Sequence, residues 1–250
     1  MLSLDKNMTQ DNSTRYKRQR IIPGWGDHSQ KELAHGRAFI AGAGGLGCPA
    51  AMALACAGVG QITICDADRV ELSNLNRQFL HTEKNLGTPK AKSAAQALTR
   101  RNSTLRIVPL VQRITTENIE ELVGNADIIL DCLDNLAGRR VLNHFAVAKG
   151  IPLVHAAIWG LEGRVTTLLP PQTPCLHCLY PTDPPDESEI PALGAVAAAT
   201  GNIQATEAIS YLINGRPSLL NKMLILDFSG MDFQRLAITA NPSCPVCAGK

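Results

Sequence analysis

Residues 37–47, Arg-Ala-Phe-Ile-Ala-Gly-Ala-Gly-Gly-Leu-Gly, constrain the fold more than any other stretch of this chain. A short apolar run, Ala38 to Ala41, meets glycines spaced G-x-G-x-x-G at Gly42, Gly44 and Gly47, and a small-residue helix follows from Cys48 to Gly58. The pattern is a buried strand, a tight turn and a helix start. Such glycines let the backbone turn sharply, approach a phosphate closely and pack helix against sheet. The helix N-terminus adds unpaired N–H groups and a positive dipole end for an anion. Taken alone, the motif is a weak signal, and a glycine-rich αβ turn in some other doubly wound fold is the alternative.

The rest of the chain decides the fold class. Gln61 to Cys65 alternates β-branched residues and reads as a strand ending in Asp66-Ala67-Asp68. An acidic residue about 20 positions past the glycines is placed for a ribose hydroxyl, with Asp66 better sited than Asp68. Leu105–Val111 is predicted as a strand, Thr115–Val123 as a helix, and the apolar run Ala126–Leu133 as a central parallel strand. That run delivers Asp134-Asn135 to a strand's carboxyl end, where open α/β sheets bind ligands. Ala137–Lys149 reads as a helix closed by Gly150, and Ile151–Ala157 as a further strand. Strands and helices therefore alternate over about 37–157, the signature of a doubly wound core. Beyond it, over about 158–250, a strand (Gly163–Leu169), a long helix (Ala192–Asn214) and a hairpin (Met223–Phe228, Met231–Thr239) extend the same sheet with antiparallel strands. The expected class is α/β, Rossmann-like, with residues 1–14 disordered, 15–250 forming a single domain, and no internal repeat.

A simple nicotinamide fold would start a helix almost at once after Asp68. Instead the chain gives the polar stretch 70–80, containing Asn74, Arg77 and Gln78, where nucleotide phosphates would lie. Thr88 then reads as an N-cap and Pro89 as the first residue of a helix. Lys90 falls in its first turn, where a cation opposes the dipole unless it reaches an anion; a solvated surface lysine is the alternative.

The formal net charge of +2 implies no polyanionic partner, and the basic run Arg15–Arg20 reads as a solvated arm. With no long apolar run and no secretory segment, neither a membrane nor DNA is an expected partner, and the cytoplasm is the expected location. Of eight cysteines, Cys48, Cys56, Cys65 and Cys132 sit in apolar patterns that suit core packing. The other four form two C-x-x-C knuckles, Cys175/Cys178 and Cys244/Cys247. Four thiolates suit a closed tetrahedral zinc site, with His177 a bystander. A redox C-x-x-C is the rival, but it expects one motif opening a helix rather than two in proline-flanked loops.

Seven elements in order carry a family resemblance: Arg15-Tyr16-x-Arg18-Gln19, Gly42-x-Gly44-Gly45-Leu46-Gly47, Asp66-x-Asp68, Ser73-Asn74-Leu75-x-Arg77-Gln78, Gly87-x-Pro89-Lys90, Asp131-x-x-Asp134-Asn135 and the two knuckles. From about Arg15 onward the chain resembles the ubiquitin-activating-enzyme superfamily, in particular its ThiF/MoeB/HesA-type adenylyltransferases of sulfur-carrier proteins. The resemblance implies that ATP·Mg²⁺ is bound and AMP is attached to the C-terminal glycine carboxylate of a small β-grasp carrier ending in Gly-Gly. It places Arg77, Lys90 and Asn74 at the phosphates, Asp134 at Mg²⁺ and Asp66 at the ribose. Gly42, Gly44, Gly45, Gly47, Asp68, Gln78 and Asn135 would complete the nucleotide site. Arg18 would reach into the partner subunit's site, implying a homodimer, and the zinc would be structural.

One departure stands out. Many relatives carry a cysteine in the crossover loop that links covalently to the carrier, whereas the matching position here is Glu187, and no cysteine lies between Cys178 and Cys244. A carboxylate cannot replace a thiolate in that chemistry. The expectation is adenylation without an enzyme–carrier thioester, with sulfur coming from a separate persulfide donor. The sulfur would serve molybdopterin, thiamine or related biosynthesis; alternatives are adenylation of a peptide or tRNA-borne carboxylate, or a silent nucleotide-binding scaffold.

Overall fold

A computed structural model describes residues 14–182 and 190–248 of the chain. The disorder expected of 1–14 lies outside these residues except at Thr14, which is helical, and Glu187 lies outside them too. Five parallel strands come first: β1 (Arg37–Ala41), β2 (Gln61–Cys65), β3 (Arg106–Leu110), β4 (Ile128–Asp131) and β5 (Leu153–Trp159). Three antiparallel strands follow: β6 (Glu162–Leu168), β7 (Lys222–Asp227) and β8 (Asp232–Ala237). All join one eight-stranded sheet in the order β3-β2-β1-β4-β5-β6-β7-β8. The order reverses between β1 and β4, and the carboxyl ends of those strands form the crevice where such sheets take ligands.

The central strands β1 and β4 are mostly apolar, with Arg37 and Asp131 at their ends, because helices cover both faces. On one face lie α2 (Gly26–His35), α3 (Gly47–Ala57), α4 (Lys90–Arg101) and the long α8 (Gly194–Asn214), packed over Ile40, Ile62, Ile64, Leu130 and Val154. On the other, α5 (Ile119–Val123), α6 (Leu136–Lys149) and α7 (Leu176–Leu179) cover Phe39, Ile129 and Leu153. The short α1 (Lys17–Arg20) is pinned by Tyr16, whose hydroxyl accepts from Asn102 Nδ2 at 2.7 Å. Pro109 interrupts β3, which an edge strand tolerates. Gly201, costly inside a helix by about 1 kcal/mol, lets α8 approach α3: a Cβ there would lie 2.4 Å from Leu46 O. Among the described residues no helix is long and apolar enough to cross a membrane.

Several sequence expectations need correction. Thr88 is not an N-cap and Pro89 is not helical: Val70 N–H donates to Thr88 O at 2.9 Å, holding 88–89 extended, so Pro89 is the cap and α4 starts at Lys90. The helix expected from Thr115 starts at Ile119, because Asn118 Oδ1 accepts from Thr115 N–H at 2.8 Å and folds 115–118 into a turn. The apolar run 126–133 pairs as a strand over only Ile128–Asp131. Cys48, Cys65 and Cys132 are buried as expected, but Cys56 is exposed. Its helix is covered on two sides, by sheet and by α8, and position 56 falls on the remaining one.

Candidate active site

The turn after β1 sorts its glycines by what surrounds them. Gly42 has φ +99°, and a Cβ there would lie 2.7 Å from Cys132 O. A Cβ on Gly47 would fall 1.9 Å from Gly42 O, inside the turn itself. Gly45 abuts Ala197 and the Arg77 side chain, whereas Gly44 faces open space, its nearest neighbour being Gln78 Nε2 at 3.7 Å. The fold therefore needs Gly42 and Gly47, while Gly44 leaves room for something absent from the chain itself. Gly44→Ala is expected to melt like the natural protein and to lose nucleotide affinity. Gly47→Ala is expected to unfold at markedly lower temperature, since backbone rather than a flexible side chain would have to move. Circular dichroism melts beside nucleotide titrations separate the two.

Asp66, at the end of β2, holds the turn in place. Its Oδ2 accepts from Ala43 N–H at 2.7 Å and its Oδ1 from Asp68 N–H at 2.8 Å. Burial pushes its carboxyl above the ordinary range despite these donors. Asp68 is engaged elsewhere: its Oδ2 takes Lys90 Nζ at 3.0 Å and its carbonyl takes Lys90 N–H at 2.8 Å. Lys90 is thus clamped at both ends and only 8% exposed, not a solvated surface lysine. Beside these groups opens a cleft of about 520 Å³, lined by Cys65, Asp66 and Asp68, by the loop 112–116, and by Leu133, Ala137 and Val141. Leu133, Ala137 and Val141 give it an apolar wall, and Asp66 stands at its edge beside the glycine turn.

The polar stretch 70–80 forms a short 3-10 turn, Leu72–Asn74. Asn74 is buried and its Oδ1 accepts from Glu71 N–H at 3.0 Å, so it braces this segment. Arg77 folds back on neutral acceptors only, Ser73 O and Asn76 Oδ1, each at 2.9 Å. Among the described residues it has no carboxylate partner, which leaves its charge available to an anion. Gln78 is buried with its Oε1 lacking a hydrogen-bond partner. Just beyond β4, Asp134 is exposed and accepts from Asn135 Nδ2 at 3.4 Å. Asn135 caps α6, accepting from Gly138 N–H at 2.9 Å. Arg18 is exposed on α1.

The four knuckle cysteines meet. Their sulfurs lie within 4.8 Å of one another, with Cys175–Cys178, Cys175–Cys244 and Cys178–Cys247 separations of 4.0, 3.7 and 3.5 Å. Disulfides need about 2.05 Å, whereas a tetrahedron with Zn–S bonds of about 2.3 Å has edges near 3.8 Å. Cys178 Sγ also accepts from Asn241 N–H at 3.4 Å. His177 lies outside the cluster, with its Nδ1 3.0 Å from Arg140 Nη1. The first knuckle does open a helix, the four-residue α7, so that criterion against a redox pair fails; the four-sulfur grouping replaces it.

The ThiF family model matches residues 16–246, nearly the whole described chain. This protein belongs to the ThiF family. Similar relatives include the SAMP-activating enzyme E1 of Haloferax volcanii, 40% identical over 238 residues, covering 93% of this chain and 88% of that protein. The sulfur carrier protein adenylyltransferase of Thermus thermophilus is 36% identical over 249 residues, covering 96% of this chain and 92% of that one. MOCS3 of Danio rerio is 38% identical over 255 residues, with 100% of this chain matched to 56% of a longer protein. Among solved structures, E. coli MccB with ATP shares the fold at a TM-score of 0.83 and 22% identity, over 94% of this chain and 75% of that one.

For a ThiF family chain, sequence reasoning located the glycine turn, the acidic pair, Arg77, Lys90 and the knuckles. It missed the loop 112–116, which lines the cleft. That loop follows an edge strand and carries no spacing pattern. It also left Asp131 without a role. Asp131 is fully buried, with Oδ2 taking His155 Nδ1 at 2.7 Å and Arg139 Nε 3.7 Å away.

Proposed function

We infer that this chain is an ATP-dependent adenylyltransferase that activates the C-terminal glycine carboxylate of a ubiquitin-like sulfur carrier as an acyl-adenylate, releasing pyrophosphate. The observation that carries the reading is the Arg77 guanidinium, held on neutral acceptors beside an open glycine turn, in a ThiF family chain. The carboxylate attacks the α-phosphorus and pyrophosphate leaves. The nucleophile is already ionised, so no general base is required, and catalysis reduces to positioning and neutralising charge on phosphate oxygens. Gly42, Gly44, Gly45 and Gly47 form the turn, Asp66 takes the ribose, and Arg77, Lys90 and Gln78 meet the phosphates. Lys90 would exchange Asp68 for phosphate. Asn74 and Asn135 brace the segments that carry Arg77 and Asp134. Asp134, exposed and without a cation partner among the described residues, would hold Mg²⁺, which when bound supplies further neutralising charge to the phosphates.

Residues 15–250 are read as one adenylation domain, supported by a single sheet running through both halves. Arg18, free on α1, suits a role in a second subunit's site, and hence a homodimer. The carrier would dock on the exposed apolar residues at the antiparallel end of the sheet, Trp159, Leu161, Phe233 and Leu236. A cytoplasmic setting suits the reduced cysteines.

ATP–pyrophosphate exchange, run with and without Gly-Gly-ending β-grasp proteins of the same genome, tests the reading. Carrier-dependent exchange is expected, with no thiol-sensitive enzyme–carrier conjugate on non-reducing gels. Cys56 is exposed but sits at the far end of α3, about 15 Å along the helix from the turn, and offers no substitute nucleophile. A persulfide donor would then attack the adenylate carbonyl directly, breaking the acyl–phosphate bond, expelling AMP and leaving an acyl disulfide. Exchange stimulated only by a peptide would move the acceptor assignment, and no exchange at all would favour a silent scaffold.

The four cysteines fit a structural Zn²⁺ that ties the C-terminus to the segment after β6. Elemental analysis is expected to give about one zinc per chain. A metal-free protein with an unchanged melt would remove the metal from the fold.

A further inference from the structure

The Ala43 peptide is gripped by groups outside the glycine motif. Its N–H donates to Asp66 Oδ2 at 2.7 Å. Its carbonyl oxygen accepts from His81 Nε2 at 3.0 Å and from the Cys48 thiol at 3.2 Å. His81 is 5% exposed, and its other ring nitrogen, Nδ1, lies 2.9 Å from Ser93 Oγ. A carbonyl can only accept, so Nε2 carries the ring proton. Burial pulls His81 below its ordinary value and keeps the ring neutral, so Nδ1 accepts the Ser93 hydroxyl proton. Burial also pushes the Cys48 thiol up to about 12, leaving it an S–H donor. Ser93 lies one turn beyond Lys90 on α4, so the ring joins the glycine turn to the helix that carries the lysine.

The direction of that carbonyl has a consequence. Across a planar trans peptide, C=O and N–H point in opposite directions. With Ala43 O drawn inward to His81 and Cys48, Gly44 N–H points away from both. Neither Gly44 N–H nor Gly45 N–H has an acceptor among the described residues. Flipping this peptide would put a carbonyl oxygen where the Gly44 N–H now points, and that oxygen repels an anion.

We propose that His81 is a positioning residue that locks the Ala43–Gly44 peptide with its N–H toward the cleft, preparing the turn for a nucleotide's phosphate. The inference rests on the nucleotide-binding reading above and adds a residue that the motifs do not contain. It separates phosphate recognition from recognition of the nucleoside, and that split is measurable.

The test is calorimetric titration of the full chain with a non-hydrolysable ATP analogue and with adenosine. His81→Phe keeps a flat ring but removes both hydrogen bonds. It is expected to weaken the analogue about tenfold, the scale of one misaligned charged hydrogen bond, and to leave adenosine within about twofold. His81→Gln, which retains an N–H donor, is expected to stay within about threefold of wild type for both. Equal losses for nucleotide and nucleoside, or no loss for either, would overturn the proposal by reducing His81 to a packing residue. If His81→Phe does not fold, Ser93→Ala decides. It frees the ring's tautomer and is expected to cost the analogue alone about threefold; an unchanged analogue affinity would overturn the proposal. Wild-type protein that binds no ATP would overturn the adenylation reading and this inference together. ATP binding without carrier-dependent exchange, with the His81→Phe split intact, would overturn only the carrier assignment.

Discussion

Arg77→Ala is expected to lower kcat/KM for carrier adenylation by at least about a hundredfold, or about 3 kcal/mol, with the melting temperature unchanged. The size follows from what the guanidinium does in the unliganded chain. Its hydrogen bonds go to Ser73 O and Asn76 Oδ1, both neutral and both on its own segment, so it neutralises nothing that the fold needs. Removing it leaves no buried charge behind. What is lost is charge stabilisation at the phosphates, where it develops during the reaction. Arg77→Lys tests the geometry: a point charge cannot reproduce the planar fork, so only partial recovery is expected. Steady-state pyrophosphate exchange beside thermal melts measures both variants, and near-wild-type exchange by Arg77→Ala would exclude it from the mechanism.

Asp131→Ala is expected to act in the opposite manner, costing about 3–5 kcal/mol of stability, the usual result of removing one member of a buried ion pair. Burial alone would raise the Asp131 carboxyl, but Arg139 and then His155 outweigh it and hold the group below its ordinary 3.8. His155 is itself lowered from 6.5 by burial, more strongly than Asp131 raises it. The arrangement is therefore an ionised Asp131, a charged Arg139 and a neutral His155 donating through Nδ1. The signs for pH follow. Asp131 has a depressed folded value, so its contribution is complete above about 3.8 and is lost as pH falls through the lower folded value. His155 has a depressed folded value too, so the unfolded chain takes up its proton first. Stability starts to fall as pH drops below about 6.5. Urea melts from pH 7 to 2 are expected to show this acid limb, and Asp131→Ala should lose the part below about pH 3.8. A variant as stable as wild type would mean that Arg139 is compensated elsewhere. Arg139 also donates to Leu133 O and Ala156 O, so the loss should loosen the β4–α6 connection that carries Asp134.

The contrast between these two residues shows how far the sequence could be read. Both stand in motifs, Ser73–Gln78 and Asp131–Asn135, and nothing in their spacing says that one charge is open and the other sealed. Arg77 emerges from a short turn beside Gly45 of the glycine turn, while Asp131 is the last residue of a strand whose neighbours on both sides and both faces are occupied. The same applies to Lys90. Its position at the start of a helix was legible, but its helix begins one residue late because Val70 and Asp68 take hold of 88–90 from elsewhere in the chain.

Local rules sufficed where the physics is local. The glycine spacing determined the turn after β1, since a Cβ at Gly42 or Gly47 would meet backbone. Alternation determined β2, from Gln61 to Cys65, and the left-handed caps Gly58 and Gly150 ended their helices. The pairing of four cysteines into two C-x-x-C knuckles was legible in the sequence as well. Tertiary structure decided what depends on long-range approach. It brought together within 4.8 Å the sulfurs of two knuckles with 65 residues between them, placed the loop 112–116 along the cleft, exposed Cys56, and set His81 against a peptide 38 positions earlier. Hydrophobic periodicity and turn chemistry are properties of neighbours in sequence. Burial of a charge, and the direction in which a peptide points, are set by whichever groups the packed sheet and helices bring alongside.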